Sequence, residues 1–284
     1  VLTAPLRRRK PTTWFVNSMS DLFAEGVEDG WLDAVFAVMA LTPQHTYQVL
    51  TKRPERMRDY LSSPHLVRRI LDAAFRQDCK GGAWMSADHQ IAGDPIFPLA
   101  NVWLGVSAED QERADQRIPD LLATPAARRF VSAEPLLGPI RFTGVSQDQQ
   151  RQWNHLTGET GVMYRDGPDF DQGARIDWVI VGGESGPGAR PMHPAWARDI
   201  RDQCAAVGVP FFFKQWGEWA PAPSHRALIA WAEGSGQPNV AWPNRQIAWG
   251  SMETHGGMGH ALDHVGKKAA GRLLDGRLHD GMPA

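Results

Sequence analysis

The sequence predicts an α/β fold, a parallel TIM-like barrel or partial barrel. Three observations lead there. Six short apolar runs each end in a cluster of polar residues, most are followed by a segment of helical spacing, and the polar ends differ chemically from one another. This is the pattern of a pocket assembled at the carboxyl ends of parallel strands. The runs are TWFVNSMSD (Thr13 to Asp21), YQVLTKRP (Tyr47 to Pro54), NVWLGVSAED (Asn101 to Asp110), RRFVSAEP (Arg128 to Pro135), DWVIVGGESG (Asp177 to Gly186) and PFFFKQWGEW (Pro210 to Trp219).

The first run is β-branched and aromatic. In the segment after it, Trp31, Leu32, Val35, Phe36, Val38 and Met39 recur at helical spacing until Pro43 stops the helix. The second run leads into PERMRDYL, where Pro54 suits a first helical turn, and helical spacing resumes from His65 to Phe75. After the third run, a charged amphipathic segment can turn Ile118, Leu121 and Leu122 inward. The fifth run is continuous enough to imply cover on both faces. It is followed by the helix HPAWARDIRDQCAAVG, with Gly208 at a stop position. The tail VGKKAAGRLLDG reads as a closing helix with Gly276 just beyond it.

Three excursions interrupt one barrel-like domain spanning 1–284. They lie at about 77–99, 143–175 and 220–262, and the polar second one suggests an insertion or lid over the strand ends. The chain begins with Val1 and enters its first strand almost at once. The expectation is a fragment or processed product in which the first β–α unit is missing.

Composition narrows the function classes. Thirty basic residues against thirty-two acidic ones give a net charge of -2, so there is no electrostatic case for nucleic-acid binding. No apolar stretch approaches the roughly 20 residues of a membrane span, and none is shaped like a signal peptide. The two cysteines, Cys79 and Cys204, make neither a disulfide framework nor a metal-ligand spacing, so a reducing cytoplasm is expected. Cys204 falls within a helical pattern and is expected in the core.

The chemistry-bearing residues sit at the strand ends. Glu134 and Glu184 are candidate catalytic carboxylates, and Lys214, at the end of FFFK, is a candidate nucleophile or ion-pair partner. Asn17, Ser18, Asp21, Ser107, Glu109, Ser132, Gly182 and Gly183 are candidates for cofactor contacts, with Ser132 and Glu134 suited to ribose or amino groups. Lys52, Arg53 and Arg190 are candidates for a substrate anion. The other reading of each carboxylate is a helix cap or an ion pair with Lys52, Arg53 or Lys214. GGESGPGAR brings backbone N–H groups close to a ligand, or simply turns tightly after a buried strand; it is neither GxGxxG nor a Walker loop. Paired carboxylates with Trp216 and Trp219 as platforms would also suit a glycosidase-like hydrolase. His255, His260 and His264 form either a metal cluster or a polar loop, and no metal site is assigned.

Taken together, FVNSMSDLF, QVLTKRPERM, NVWLGVSAEDQ, RFVSAEPLLGP, DWVIVGGESGPGARPMHP, PFFFKQWGEW and VGKKAAGRLLDGR resemble a family of uncharacterised phage-associated bacterial proteins, from about Thr12 to Arg277. That family is similar to radical S-adenosylmethionine enzymes. The resemblance implies a three-cysteine segment holding a [4Fe–4S] cluster, S-adenosylmethionine as cofactor, and a partner protein named after a three-cysteine motif. This chain has no such segment, and Cys79 and Cys204 cannot replace it. Its GGE at Gly182 to Glu184 lies on a late strand, so the methionine-binding role of an early GGE does not carry over. The expectation is the remainder of a radical S-adenosylmethionine-type enzyme of unknown substrate that is unable to bind the cluster as given. The alternatives are the hydrolase and a non-catalytic binding subunit.

Overall fold

A computed structural model describes residues 2–77, 97–146, 151–164, 167–221, 245–249 and 259–283. The chain divides into two compact units, Val1–Ser107 with Asp115–Phe130, and Ala108–Ala114 with Val131–Ala284.

The architecture is α/β, built on a six-stranded parallel sheet in the order β1-β2-β3-β4-β9-β10. This is the make-up of a partial TIM-like barrel. The strands are β1 (Thr13–Val16), β2 (Thr46–Thr51), β3 (Val102–Ser107), β4 (Arg128–Ala133), β9 (Trp178–Gly182) and β10 (Phe211–Gln215). They coincide with the six apolar runs. β9 is buried at every position, as its uninterrupted apolar run requires. β1 alternates between exposed and half-buried, so it is less buried than its β-branched and aromatic composition suggests.

In the first unit, α1 (Ala4–Arg7) precedes β1. Helix α2 (Asp29–Leu41) packs Leu32, Phe36, Ala37 and Met39 inward, whereas Trp31 is 59% exposed. Trp31 shares the helical spacing but lies one residue outside the buried stripe. Helices α3 (Pro54–Leu61) and α4 (Leu66–Gln77) follow β2, with Pro54 in the first turn of α3. Helix α5 (Gln111–Ala123) joins β3 to β4 and buries Ile118 and Leu121 as expected, whereas Leu122 is half-buried.

In the second unit, the β4–β9 connection contains a four-stranded antiparallel sheet. Its strands are β5 (Thr143–Val145), β6 (Arg151–Asn154), β7 (Glu159–Tyr164) and β8 (Gly167–Gln172). The second excursion is therefore a β-meander. Gln203, near the carboxyl end of the next helix, fastens its base: the Gln203 side chain accepts from the Phe142 N–H at 2.9 Å and donates to the Ile140 carbonyl at 2.9 Å. That helix, α6 (Pro194–Val207), buries Trp196, Ile200 and Cys204 at four-residue intervals and ends at Gly208 with φ +72°. A three-stranded antiparallel sheet follows, with β13 (Gly259–His264) between β11 (Trp219–Pro221) and β12 (Arg245–Trp249).

The expected closing helix is replaced by a single turn, α7 (Lys267–Ala270). Gly271, Asp275 and Gly276 all have positive φ, which ends the helix and bends the chain. The remaining segment runs as a strap along β10. The Phe213 N–H donates to the His279 carbonyl at 2.9 Å and the Gly281 N–H to the Phe211 carbonyl at 3.0 Å, covering that edge of the sheet. Two indoles hold the strap, with Trp178 Nε1 donating to the Gly281 carbonyl at 2.7 Å and Trp216 Nε1 to the Leu273 carbonyl at 2.9 Å. Among the described residues no helix is long and apolar enough to cross a membrane.

Candidate active site at the strand ends

In the first unit, the loop after β1 is tied back to the end of β2 through Asp21. Its carboxylate accepts from the Phe23 N–H (2.9 Å), Thr51 Oγ1 (2.7 Å), the Lys52 N–H (2.9 Å) and Arg53 Nη1 (3.0 Å). Burial works to raise the Asp21 pKa. The hydrogen bonds overcome it, led by that from the Lys52 N–H, and hold the carboxyl below its usual range. Asn17 has φ +55° and turns the chain, its carbonyl accepting from the Ser20 N–H at 3.0 Å; it and Ser18 are exposed. Lys52 is exposed and Arg53 is half-exposed against Asp21. Ser107 is buried, with its carbonyl held by Arg117 Nη1 at 2.9 Å. Of the expected contact residues here, Asp21 forms a tether with Arg53 and the Lys52 backbone, and its acceptor capacity is taken up.

The second unit assembles a different arrangement at the ends of β4, β9 and β10. Glu134, just beyond β4, accepts from Lys214 Nζ at 2.7 Å and from Gln215 Nε2 at 3.0 Å. Two backbone features make this possible. Gly182, at the end of the intervening β9, carries no side chain, and a Cβ there would lie 2.8 Å from Glu134 Oε1. The β9–β10 register also shifts between Phe213 and Gln215. Consecutive strand residues ordinarily point to opposite faces, and a bulge re-aims one of them. Lys214 and Gln215 thereby reach the same carboxylate. The Glu134 side chain is 19% exposed and that of Lys214 is 51% exposed, so the pair is open to solvent on one side.

Below the pair, the GGESG and QWGEW loops lock together. The Gly183 N–H donates to the Gln215 carbonyl at 2.9 Å, and the Glu218 N–H to the Glu184 carbonyl at 3.0 Å. A Cβ on Gly183 would fall 1.9 Å from the Trp216 carbonyl oxygen, so the glycine is set by backbone approach. Glu184 binds Arg190 through both carboxylate oxygens at 2.8 Å and also accepts the Arg190 N–H at 2.7 Å. The guanidinium holds the Glu184 pKa down at about 2. A carboxylate so held is ionised at neutral pH and is engaged on both oxygens. Arg190 is correspondingly committed to Glu184, with Glu109 adding to its field.

Glu218 caps two backbone N–H groups, those of Gly186 at 3.0 Å and Lys267 at 3.1 Å. Ser132 and Glu109 are buried, their carbonyls accepting from the Ala108 and Leu137 N–H groups at 2.9 and 2.7 Å. Trp216 and Trp219 are 4% and 6% exposed and serve as core. The Trp219 indole N–H donates to the Ala189 carbonyl at 2.7 Å, and its ring meets His264 edge-on at 4.9 Å. Neither ring is a sugar platform. His255 and the His260 side chain lie outside the described residues, as does Cys79. Burial raises the Cys204 thiol to about 12. Among the described residues no group of three or more His, Cys, Asp or Glu could hold a metal.

Gln215 was missing from the expected site. Its alternation with Phe211 and Phe213 marks it as inward-facing, but only the bulge brings it beside Lys214. Fold and site define an α/β protein with a polar, charge-paired cluster at parallel strand ends. The chain belongs to the DUF5131 family, described as a protein of unknown function, whose model matches residues 1–283. No curated protein and no solved structure matches it significantly.

Proposed function

We propose that the chain is the ligand-holding portion of an enzyme of the radical S-adenosylmethionine type, of unknown substrate, with the cluster at Glu134, Lys214 and Gln215 receiving the amino-acid end of the cofactor. The observation that carries this reading is the Glu134–Lys214 pair itself, bridging the ends of β4 and β10 across Gly182. A zwitterionic α-amino acid group matches it charge for charge, with ammonium toward Glu134 and carboxylate toward Lys214. A part-exposed ion pair is worth only ~0–1 kcal/mol, so exchanging it for a ligand costs little. The residues present do not fit the iron–sulfur cluster, since the whole sequence has two cysteines and Cys204 is buried within α6.

The test is calorimetric titration of the full chain with S-adenosylmethionine, methionine and adenosine. Binding of the first, competed by methionine and weakened about tenfold in Glu134→Gln and Lys214→Met at unchanged melting temperature, supports the reading. No binding of any of the three, or binding indifferent to both variants, removes it. The phage association, the radical chemistry and a three-cysteine-motif partner form the finer part of the proposal and rest on the sequence resemblance. Co-purification of such a partner on co-expression carries or removes that part.

A further inference from the structure

The β5–β8 meander presents one face as two parallel rows. The register places Thr143, Asn154, Glu159 and Gln172 side by side across the four strands, and Val145, Gln152, Gly161 and Phe170 side by side two residues along. The rows are therefore ~7 Å apart and each runs ~14 Å across the sheet. From these rows Thr143, Val145, Gln152, Asn154, Glu159 and Phe170 line a groove of about 340 Å³, at the small end of ligand sites.

The second row is the floor. Gly161 has no side chain, and a Cβ there would lie 2.5 Å from the Phe170 ring. The ring thus sits against the glycine where a side chain would otherwise be, and the residue remains 41% exposed beside Val145 at 52%. The first row is a bank of hydrogen-bonding groups with capacity left over. Asn154 accepts from the Leu156 and Thr157 N–H groups through its Oδ1, and its amide N–H₂ makes no hydrogen bond among the described residues. Glu159 uses one oxygen, accepting from Thr157 Oγ1. Gln172 donates to the Thr157 carbonyl and keeps its Oε1. On the floor, Gln152 makes no side-chain hydrogen bond among the described residues.

We infer that this groove binds a short neutral saccharide, one sugar face on the Phe170 ring and its hydroxyls on Gln152, Asn154 and Glu159. Amides donate to and accept from vicinal hydroxyls, a carboxylate accepts from them, and an aromatic face takes the apolar C–H face of a pyranose. Among the described residues that line the groove, Glu159 is the only acidic or basic side chain and no cation is there to meet a phosphate, so a stacked nucleotide is a poor match. An extended peptide would add to a sheet edge, whereas this is a sheet face.

The experiment is native affinity electrophoresis of the full chain in gels carrying hydroxyethylcellulose, xylan, galactomannan or mixed-linkage β-glucan, with dextran sulfate alongside. The expected result is retardation by at least one neutral polymer, relieved by its soluble oligosaccharide, with association about tenfold weaker in Phe170→Ala and Gln152→Ala. Gln152→Ala breaks no described bond, so it decides the matter even if Phe170→Ala disturbs the meander. No retardation by any neutral polymer, retardation by dextran sulfate alone, or retardation equal in wild type and Gln152→Ala overturns the inference.

Discussion

Asp21 in the first unit and Glu134 in the second are both carboxylates at strand ends, and both sit against a cation. Asp21 accepts four hydrogen bonds, two from backbone N–H groups, and pins a loop to β2. Glu134 accepts two, both from side chains, and its cation is half-exposed. The difference is one of spare capacity. A carboxylate whose acceptors are taken up by its own backbone holds the fold. One met only by side-chain donors, one of them half-exposed, can exchange that partner for a ligand at little cost.

The largest effect is expected where the second cluster's scaffold is broken. Gly183→Ala drives a methyl into the Trp216 carbonyl, and a loss of ~3 kcal/mol or more in urea unfolding is expected. An unchanged midpoint would show that the two loops are not locked as described. Asp21→Ala leaves the Lys52 and Phe23 N–H groups and Thr51 without their acceptor, and should cost ~2 kcal/mol while sparing ligand binding at Glu134. A binding defect there would erase the contrast between the regions.

Glu184 sharpens the comparison by pH. Its carboxyl stands at about 2 in the folded chain against an ordinary 4.5. A depressed folded pKa gives stability that is fully present above about 4.5 and lost as pH falls toward about 2. Melting temperature should therefore drop over that window in the wild type, with a shallower drop in Glu184→Gln. Coincident profiles would mean that the Arg190 pair contributes nothing. The smallest effect is expected from the pair proposed to be functional. A double-mutant cycle on Glu134→Gln and Lys214→Met should give a coupling below about 1 kcal/mol in stability. A much larger value would make the pair a structural tether like Asp21.

β9 was legible because a strand buried on both faces has to be a nearly continuous apolar run, and the other five because short runs rich in β-branched and aromatic residues end in polar clusters. Helix α6 was legible from the spacing of Trp196, Ile200 and Cys204 and from Gly208. The tail misled because Lys267 to Leu274 has helical composition, while Gly271 and Asp275 take positive φ to lay the strap on β10. The meander was read only as a polar insertion. Its residues are mostly exposed on both faces, so they lack the apolar alternation by which a half-buried strand is recognised.

By itself the sequence determined the class of the fold, the order of the strands along the chain and the residue types available at their ends, because burial dictates composition locally. The tertiary structure alone decided which of those ends meet. Glu134, Lys214 and Gln215 lie about eighty residues apart, and their meeting depends on the absence of a Cβ at Gly182 and a one-residue slip in β10. The same holds for whether a charge is spent or spare. That depends on backbone N–H groups such as those of Lys52 and Arg190, whose directions no residue identity encodes.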